Sequence, residues 1–261
     1  MAVSQPELQR IVQDAVGAVQ RGDLARANDI ATAARAAGTE HPFLLKVQAL
    51  WLNASGQYRD ALRNFHHART LAPDDPSILN GIAGCLAGMG ACRPALKIID
   101  QTIRLSPRSA AAHQMRGWIL DRLGDLPAAR AAYERALALS PNFPDAAGGA
   151  ALAAAQTNDL TAARALAARA LSLSPRQLTA RIALAIADTS EGKAEPAKQA
   201  LLELIATDGV PPRIKAIAWG ALTEALEALG QAEEAAAAKS TKDELMAAEP
   251  PLIDVEDVAD D

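Results

Sequence analysis

Seven alanines recur along this chain at near-constant intervals: Ala27, Ala61, Ala95, Ala129, Ala163, Ala197 and Ala235 stand 34 residues apart five times and 38 apart once. Five residues before each comes Gly22, Gly56, Gly90, Gly124, Asn158, Gly192 or Gly230, types that tolerate the left-handed backbone of a helix C-terminus. Seven residues further upstream lie Ala15, Ala49, Ala83, Gly117, Ala151, Ala185 and Thr223. A small side chain on one helix thus faces a small one on the next, and the two helices can approach closely. Pro73, Pro107, Pro141 and Pro175 follow four of the alanines by twelve residues and stop the second helix. The unit is helix, turn, helix, stop. A chain made of such units buries each one on its neighbours, without a central core.

The period and its small, aromatic and proline positions resemble the tetratricopeptide repeat (TPR). The resemblance implies an all-α, right-handed superhelical solenoid of about seven helix-turn-helix units. With the turn residue set as fifteenth, the units are 8–41, 42–75, 76–109, 110–143, 144–177, 178–215 and 216–249, after a lead of residues 1–7 and before an acidic tail, 250–261, expected to be disordered. Phe65 and Tyr133 occupy position 24, Tyr58 position 17 and Trp219 position 4. Units one and five match least well. Asp14, Gln48 and Arg116 stand at the usually apolar position 7, where their polar ends are expected to reach solvent or a neighbouring unit. The spacing of 38 falls around Gly209, Pro211 and Pro212, read as a lengthened turn that reorients the last unit. The final helix, about Gln231 to Ala248, is polar enough to serve as a cap.

Half of the residues are apolar, much of that alanine, and only 3% are aromatic; alanine favours helix while burying little surface. No apolar run is long enough to span a membrane, and the MAVSQPELQR start lacks the basic and apolar segments of a signal peptide, so a non-inserted chain without a cleaved leader is expected. Cys85 and Cys92 are expected as buried free thiols in a reducing compartment, the cytoplasm. His66 and His67, adjacent on one helix, point apart and suit an outer surface better than a metal site; His113 is expected inside and His41 in a loop. No metal or other cofactor is expected. Of the net charge of minus five, residues 243–261 hold minus eight, which leaves plus three for the remainder. That is too weak for a phosphate-tracking surface, so nucleic acid is not an expected partner.

The resemblance places the first helix of each unit on the concave side. There, positions 2, 5, 9, 12 and 13 share one face, which nominates Lys46, Leu50, Asn53, Asn80, Gly84, Gln114, Trp118, Asp121, Arg122, Leu152, Ile182 and Ile186 as the partner-binding groove, with Val12, Val16 and Val19 before them and Glu224 and Glu227 as an acidic lip after them. Relatives that clamp a C-terminal carboxylate use lysine at position 5, asparagine at 9 and asparagine at 6 of the next unit. This chain has Lys46 but then Leu50 and Gly81, so that clamp is not expected. Gly81, Gly84, Gly88, Gly148 and Gly149 interrupt two inner helices around Trp118. Each costs roughly 1 kcal/mol against alanine, which leaves two explanations: close approach of a partner backbone beside a tryptophan anchor, or close contact between helices.

Nothing in the chain has the spacing of a phosphate loop, a metal site or an activated nucleophile, so a non-enzymatic scaffold for a protein or peptide is expected, with self-association through the acidic tail as a further possibility. As an alternative, the segments ILNGIAGCLAGMG, SAAAHQMRGWILDRLGDLPAARAAYERALALSP and ALTEALEALGQAEEA resemble the N-terminal repeat block of bacterial sulfotransferase-linked proteins, which implies a module that captures a substrate or partner.

Overall fold

The computed structural model describes residues 4–250. The tail expected at 250–261 lies, but for Pro250, outside them. The described residues hold fourteen helices and no strand: α1 (Gln5–Gln20), α2 (Leu24–Ala36), α3 (Pro42–Ala54), α4 (Tyr58–Leu71), α5 (Pro76–Gly88), α6 (Cys92–Leu105), α7 (Ala110–Arg122), α8 (Leu126–Leu139), α9 (Pro144–Gln156), α10 (Leu160–Leu173), α11 (Leu178–Ser190), α12 (Ala194–Ala206), α13 (Pro212–Ala228) and α14 (Ala232–Ala247). They pair into hairpins in the register of the alanine ruler, units one and five included.

Each hairpin turn has one backbone solution. Gly22, Gly56, Gly90, Gly124, Gly192 and Gly230 adopt φ between 74° and 88°, and Asn158 stands in for glycine at 61°. The residue after each donates its N–H to the carbonyl five back, as in Asp23 to Ala18 and Asp159 to Ala154, at 3.0 and 2.9 Å. These bonds close the first helix. Where that residue is aspartate it also caps the next helix: Asp23, Asp125 and Asp159 accept from the N–H three residues on. The turn is short because one residue ends a helix and begins another. The paired small residues lie beneath it, with Ala15, Ala27, Ala49, Ala61, Ala151 and Ala163 fully buried.

The chain forms two compact units, one through Pro107 and one from Arg108. Within each, consecutive first helices neighbour one another, α1 with α3 and α3 with α5 in the first unit, and α7 with α9, α9 with α11 and α11 with α13 in the second. Second helices pack on first helices, as α8 does on α7 and α9. First helices therefore make an inner row and second helices an outer row.

Aromatic residues of the outer row key successive hairpins together. Phe65 is fully buried, and a Cβ added to Gly81, sixteen residues on, would stand 2.2 Å from its ring. Tyr133 repeats this arrangement with Gly149 at 2.6 Å and also covers Gly117 of its own hairpin at 2.7 Å. Gly88 seats Tyr58, and Gly148 seats the amide of Gln177, which caps α11. Four of the five interrupting glycines are thus filled by the chain itself, so the helix-contact explanation accounts for Gly81, Gly88, Gly148 and Gly149, and none of these four leaves room beside its Cα for a partner. A buried ring contributes about 1.5–3 kcal/mol, enough to offset the glycine beneath it.

Candidate functional site

The 38-residue interval corrects one expectation. The four additional residues do not lengthen the turn: α13 begins at Pro212 and runs for 17 residues, where α7, α9 and α11 have 13. One extra helical turn, Pro212 to Lys215, therefore precedes the usual start at Ala216. Proline suits the first helical position, where its missing N–H has no partner to lose.

That turn carries Arg213 into the inner row. Arg213 Nη2 is 3.4 Å from Asp121 Oδ2 on α7, and its Nη1 is 3.2 Å from Glu249 Oε2, beyond the end of α14. Arg122 Nη2 reaches the same Glu249 oxygen at 3.4 Å. With Asp121 and Arg122 adjacent in the chain, the four side chains close a ring of alternating charge. All are largely withdrawn from solvent, with side-chain exposures of 7% for Arg122, 19% for Arg213, 16% for Asp121 and 15% for Glu249. Burial pushes the Asp121 carboxyl above its ordinary value, against the pull of Arg213 and Arg122. The Tyr133 hydroxyl is also pushed up, by burial first and then by the Asp121 charge. The Trp118 ring, half-buried one turn earlier, lies 5.5 Å from the Arg122 guanidinium, within cation–π range.

The sequence nominated Trp118, Asp121 and Arg122, and the structure gathers them. Gln114, one turn before Trp118 on α7, is partly buried. Leu152, Ile182 and Ile186 are 3%, 0% and 9% exposed. They belong to the packing of α9 and α11 and present almost no surface, a correction to their expected place as groove lining. Arg213 escaped the sequence reading because it lies in the four-residue excess, and Glu249 because, as the last position of the last unit, it is not on a first helix, from which the groove was nominated. Glu224 and Glu227 are exposed, and burial followed by the Glu227 charge raises the Glu224 carboxyl.

In the first unit Lys46 and Asn53 are committed to neighbours. Lys46 Nζ donates to Ser77 Oγ at 2.8 Å and lies 5.0 Å from the Phe43 ring; it also helps Ser77 hold the Asp75 carboxyl low. Asn53 Oδ1 faces the Cys85 thiol at 3.4 Å, Leu50 is partly exposed, and Gly84 is buried. Asn80 Oδ1 is buried without a hydrogen-bond partner. Gln48 bonds Arg35 and Thr32 of the preceding hairpin, at 3.3 and 3.2 Å, as expected for a polar residue at that position; Asp14 is exposed. Cys85 and Cys92 are free and buried, and His66 is exposed. His41 caps α3, its Nδ1 accepting from Phe43 N–H. Among the described residues no three His, Cys, Asp or Glu side chains gather as a metal site, and no helix is long and apolar enough to cross a membrane.

A second charged feature went unread in the sequence. Arg130, Arg164 and Lys198 lie 34 residues apart, and each reaches the next hairpin. Arg130 bonds Asp159 at 2.8 Å, Arg164 bonds Asp188 and Glu191 at 2.6 and 2.7 Å, and Lys198 bonds Gln231 and Glu234 at 2.9 and 3.2 Å. The interval itself was the available signal.

Comparison with known proteins matches the tetratricopeptide repeat family over residues 86–144 and 115–177. Residues 86–177 carry tetratricopeptide repeats. The chain's all-helical TPR fold is that of a thermophilic TPR protein from Thermus thermophilus (TM-score 0.58, 21% identity, 70% of this chain and 99% of that one). It is likewise that of a TPR protein from Parabacteroides merdae (0.57, 17%, 92% and 97%) and of PilF from Pseudomonas aeruginosa (0.60, 16%, 75% and 89%). A TPR repeat-containing thioredoxin, TTL4 of Arabidopsis thaliana, is 34% identical over 75 residues, 29% of this chain. The match spans 11% of that relative's length, so the likeness is one of repeats.

Proposed function

We propose that this chain is a binding scaffold that holds a peptide or protein segment along the inner row of its second unit, with Trp118 as the anchor. One observation carries the proposal: the half-buried indole in that row stands beside a ring of four charged side chains, three from its helices and Glu249 from beyond α14. Tryptophan and arginine are the side chains that most often dominate a binding surface. The repeats support the class of function, because a row of short helices presents an extended surface and not an enclosed pocket. The two free, buried thiols favour the cytoplasm. Self-association through the acidic tail concerns residues outside those described.

Photocrosslinking tests the proposal, with benzoylphenylalanine placed at Gln114 in the full chain and the captured polypeptides sequenced. Polypeptides that crosslink at Gln114 and are lost with Trp118→Ala are the expected result; capture indifferent to Trp118 contradicts it. Recovery of a transferase subunit or sulfated acceptors would favour the capture module.

A further inference from the structure

Glu249 is a strange fit for the two arginines that hold it. Both guanidiniums approach the same carboxylate oxygen, Oε2, at 3.4 and 3.2 Å, whereas an arginine–carboxylate hydrogen bond closes to about 2.7–2.9 Å and is commonly bidentate. The Nε atoms of Arg122 and Arg213 are both buried and have no hydrogen-bond partner. Guanidinium donors that are dehydrated and unused represent recognition capacity that the chain does not exploit itself. Glu249 also stands two residues past the last helix, which ends at Ala247, its N–H bonded to the Met246 carbonyl at 3.2 Å, so the turn at the helix end holds it and not the helix itself. Asp121 neutralises one of the two arginines; without Glu249, one positive charge remains beneath Trp118.

We propose that Arg122 and Arg213 form an acceptor site for a carboxylate of an acidic peptide, and that Glu249 occupies this site in cis as a replaceable stand-in. The arginines lie at the end of α7 and in the extra turn of α13, distinct from the lysine and asparagine positions considered above. The ligand is a peptide carboxylate, from a side chain or a chain terminus, whose two oxygens engage the Nε groups that Glu249 leaves unsatisfied together with the Nη groups that it now contacts. The chain's own end then competes with its partner, and apparent affinity falls by the fraction of molecules in which Glu249 is seated. This deepens the scaffold proposal and rests on it.

The test uses the full chain and its Glu249→Gln variant, with Arg122 and Arg213 Nε–H signals followed by NMR. The probe is a synthetic copy of residues 247–261, acetylated and amidated; a second, the glutamine copy, has every glutamate and aspartate replaced by its amide, and a third adds a free C-terminus to that glutamine copy. The expected result is that the variant binds the glutamate copy about tenfold or more tightly than the unaltered chain does, with both Nε–H signals shifting. The amidated glutamine copy should leave these signals unmoved, and the free-ended copy shows whether a terminal carboxylate is also accepted. Glu249→Ala should behave as Glu249→Gln, and circular dichroism confirms that helix content is kept. Equal affinity of variant and unaltered chain for the glutamate copy, or equal shifts with the amidated glutamine copy, overturns the proposal. If capture depends on Trp118 while the arginine signals ignore every copy, the scaffold proposal stands and this one falls. Arginine signals that shift while capture ignores Trp118 leave the carboxylate site standing and remove the tryptophan anchor.

Discussion

The guanidinium of Arg213 lies 3.4 Å from the carboxylate of Asp121, ninety-two residues earlier in the chain. The contact exists because a four-residue excess was built into α13 as one more helical turn. Arg213→Ala leaves a largely buried carboxylate without its main partner, and we expect a loss of about 1–3 kcal/mol in unfolding free energy. Arg213→Lys should recover part of it, since a point charge replaces the guanidinium fork. Deletion of residues 212–215 restores the 34-residue interval and should keep helix content while removing the contact. Chemical denaturation followed by circular dichroism checks all three.

Gly149→Ala places a methyl group 2.6 Å from the Tyr133 ring. The ring is wedged between Gly149 and Gly117 and cannot yield without moving a helix, so a loss of about 1–3 kcal/mol is expected. Combining Gly149→Ala with Tyr133→Leu should cost less than the sum of the single changes, because a smaller side chain leaves room for the methyl. A double-mutant cycle measures this. Additive losses would mean that ring and glycine are not in contact.

The ruler of alanines, turn residues and prolines made nearly all of the helical architecture legible, since every hairpin turn demands a left-handed residue and a small pair beneath it. The division after Pro107 was not legible: Pro107 repeats Pro73 and Pro141 and carries no mark of its own. Trp118, Asp121 and Arg122 could be nominated from helical spacing on one element. Their partners Arg213 and Glu249 could not, because a bond between distant helices depends on how the hairpins stack. Leu152 and Ile182 were misplaced for a related reason: position on the inner face of a helix does not decide whether a neighbouring helix covers it.

Acid should act on the two kinds of carboxylate in opposite senses. Hydrogen bonds from Arg164 and then Lys193 hold the Glu191 carboxyl down to about 2, from an ordinary 4.5. Its contribution to stability is complete above the unfolded value of 4.5 and is lost as pH falls through about 2. Asp121 is raised by burial, so the folded chain binds its proton at a pH where the unfolded chain, at 3.8, has released it. Its effect is to reduce stability as pH climbs from that unfolded value through the raised folded one. Carboxyl NMR titration should find Glu191 below and Asp121 above their ordinary values, and Arg164→Ala should return Glu191 toward 4.5.

Cys85 should be inert in the folded chain. Burial pushes its thiol up to about 12, and the sulfur is shielded between helices, so the reactive thiolate is scarce at pH 8. Labelling with iodoacetamide should follow unfolding. Fast modification of the native chain would contradict the packing described.

Affinity at Trp118 bears most directly on the scaffold proposal. Isothermal titration of a polypeptide captured by the unaltered chain should show at least about a tenfold loss with Trp118→Ala, at unchanged helix content. Equal affinity of the two folded proteins would contradict recognition by the inner row of the second unit.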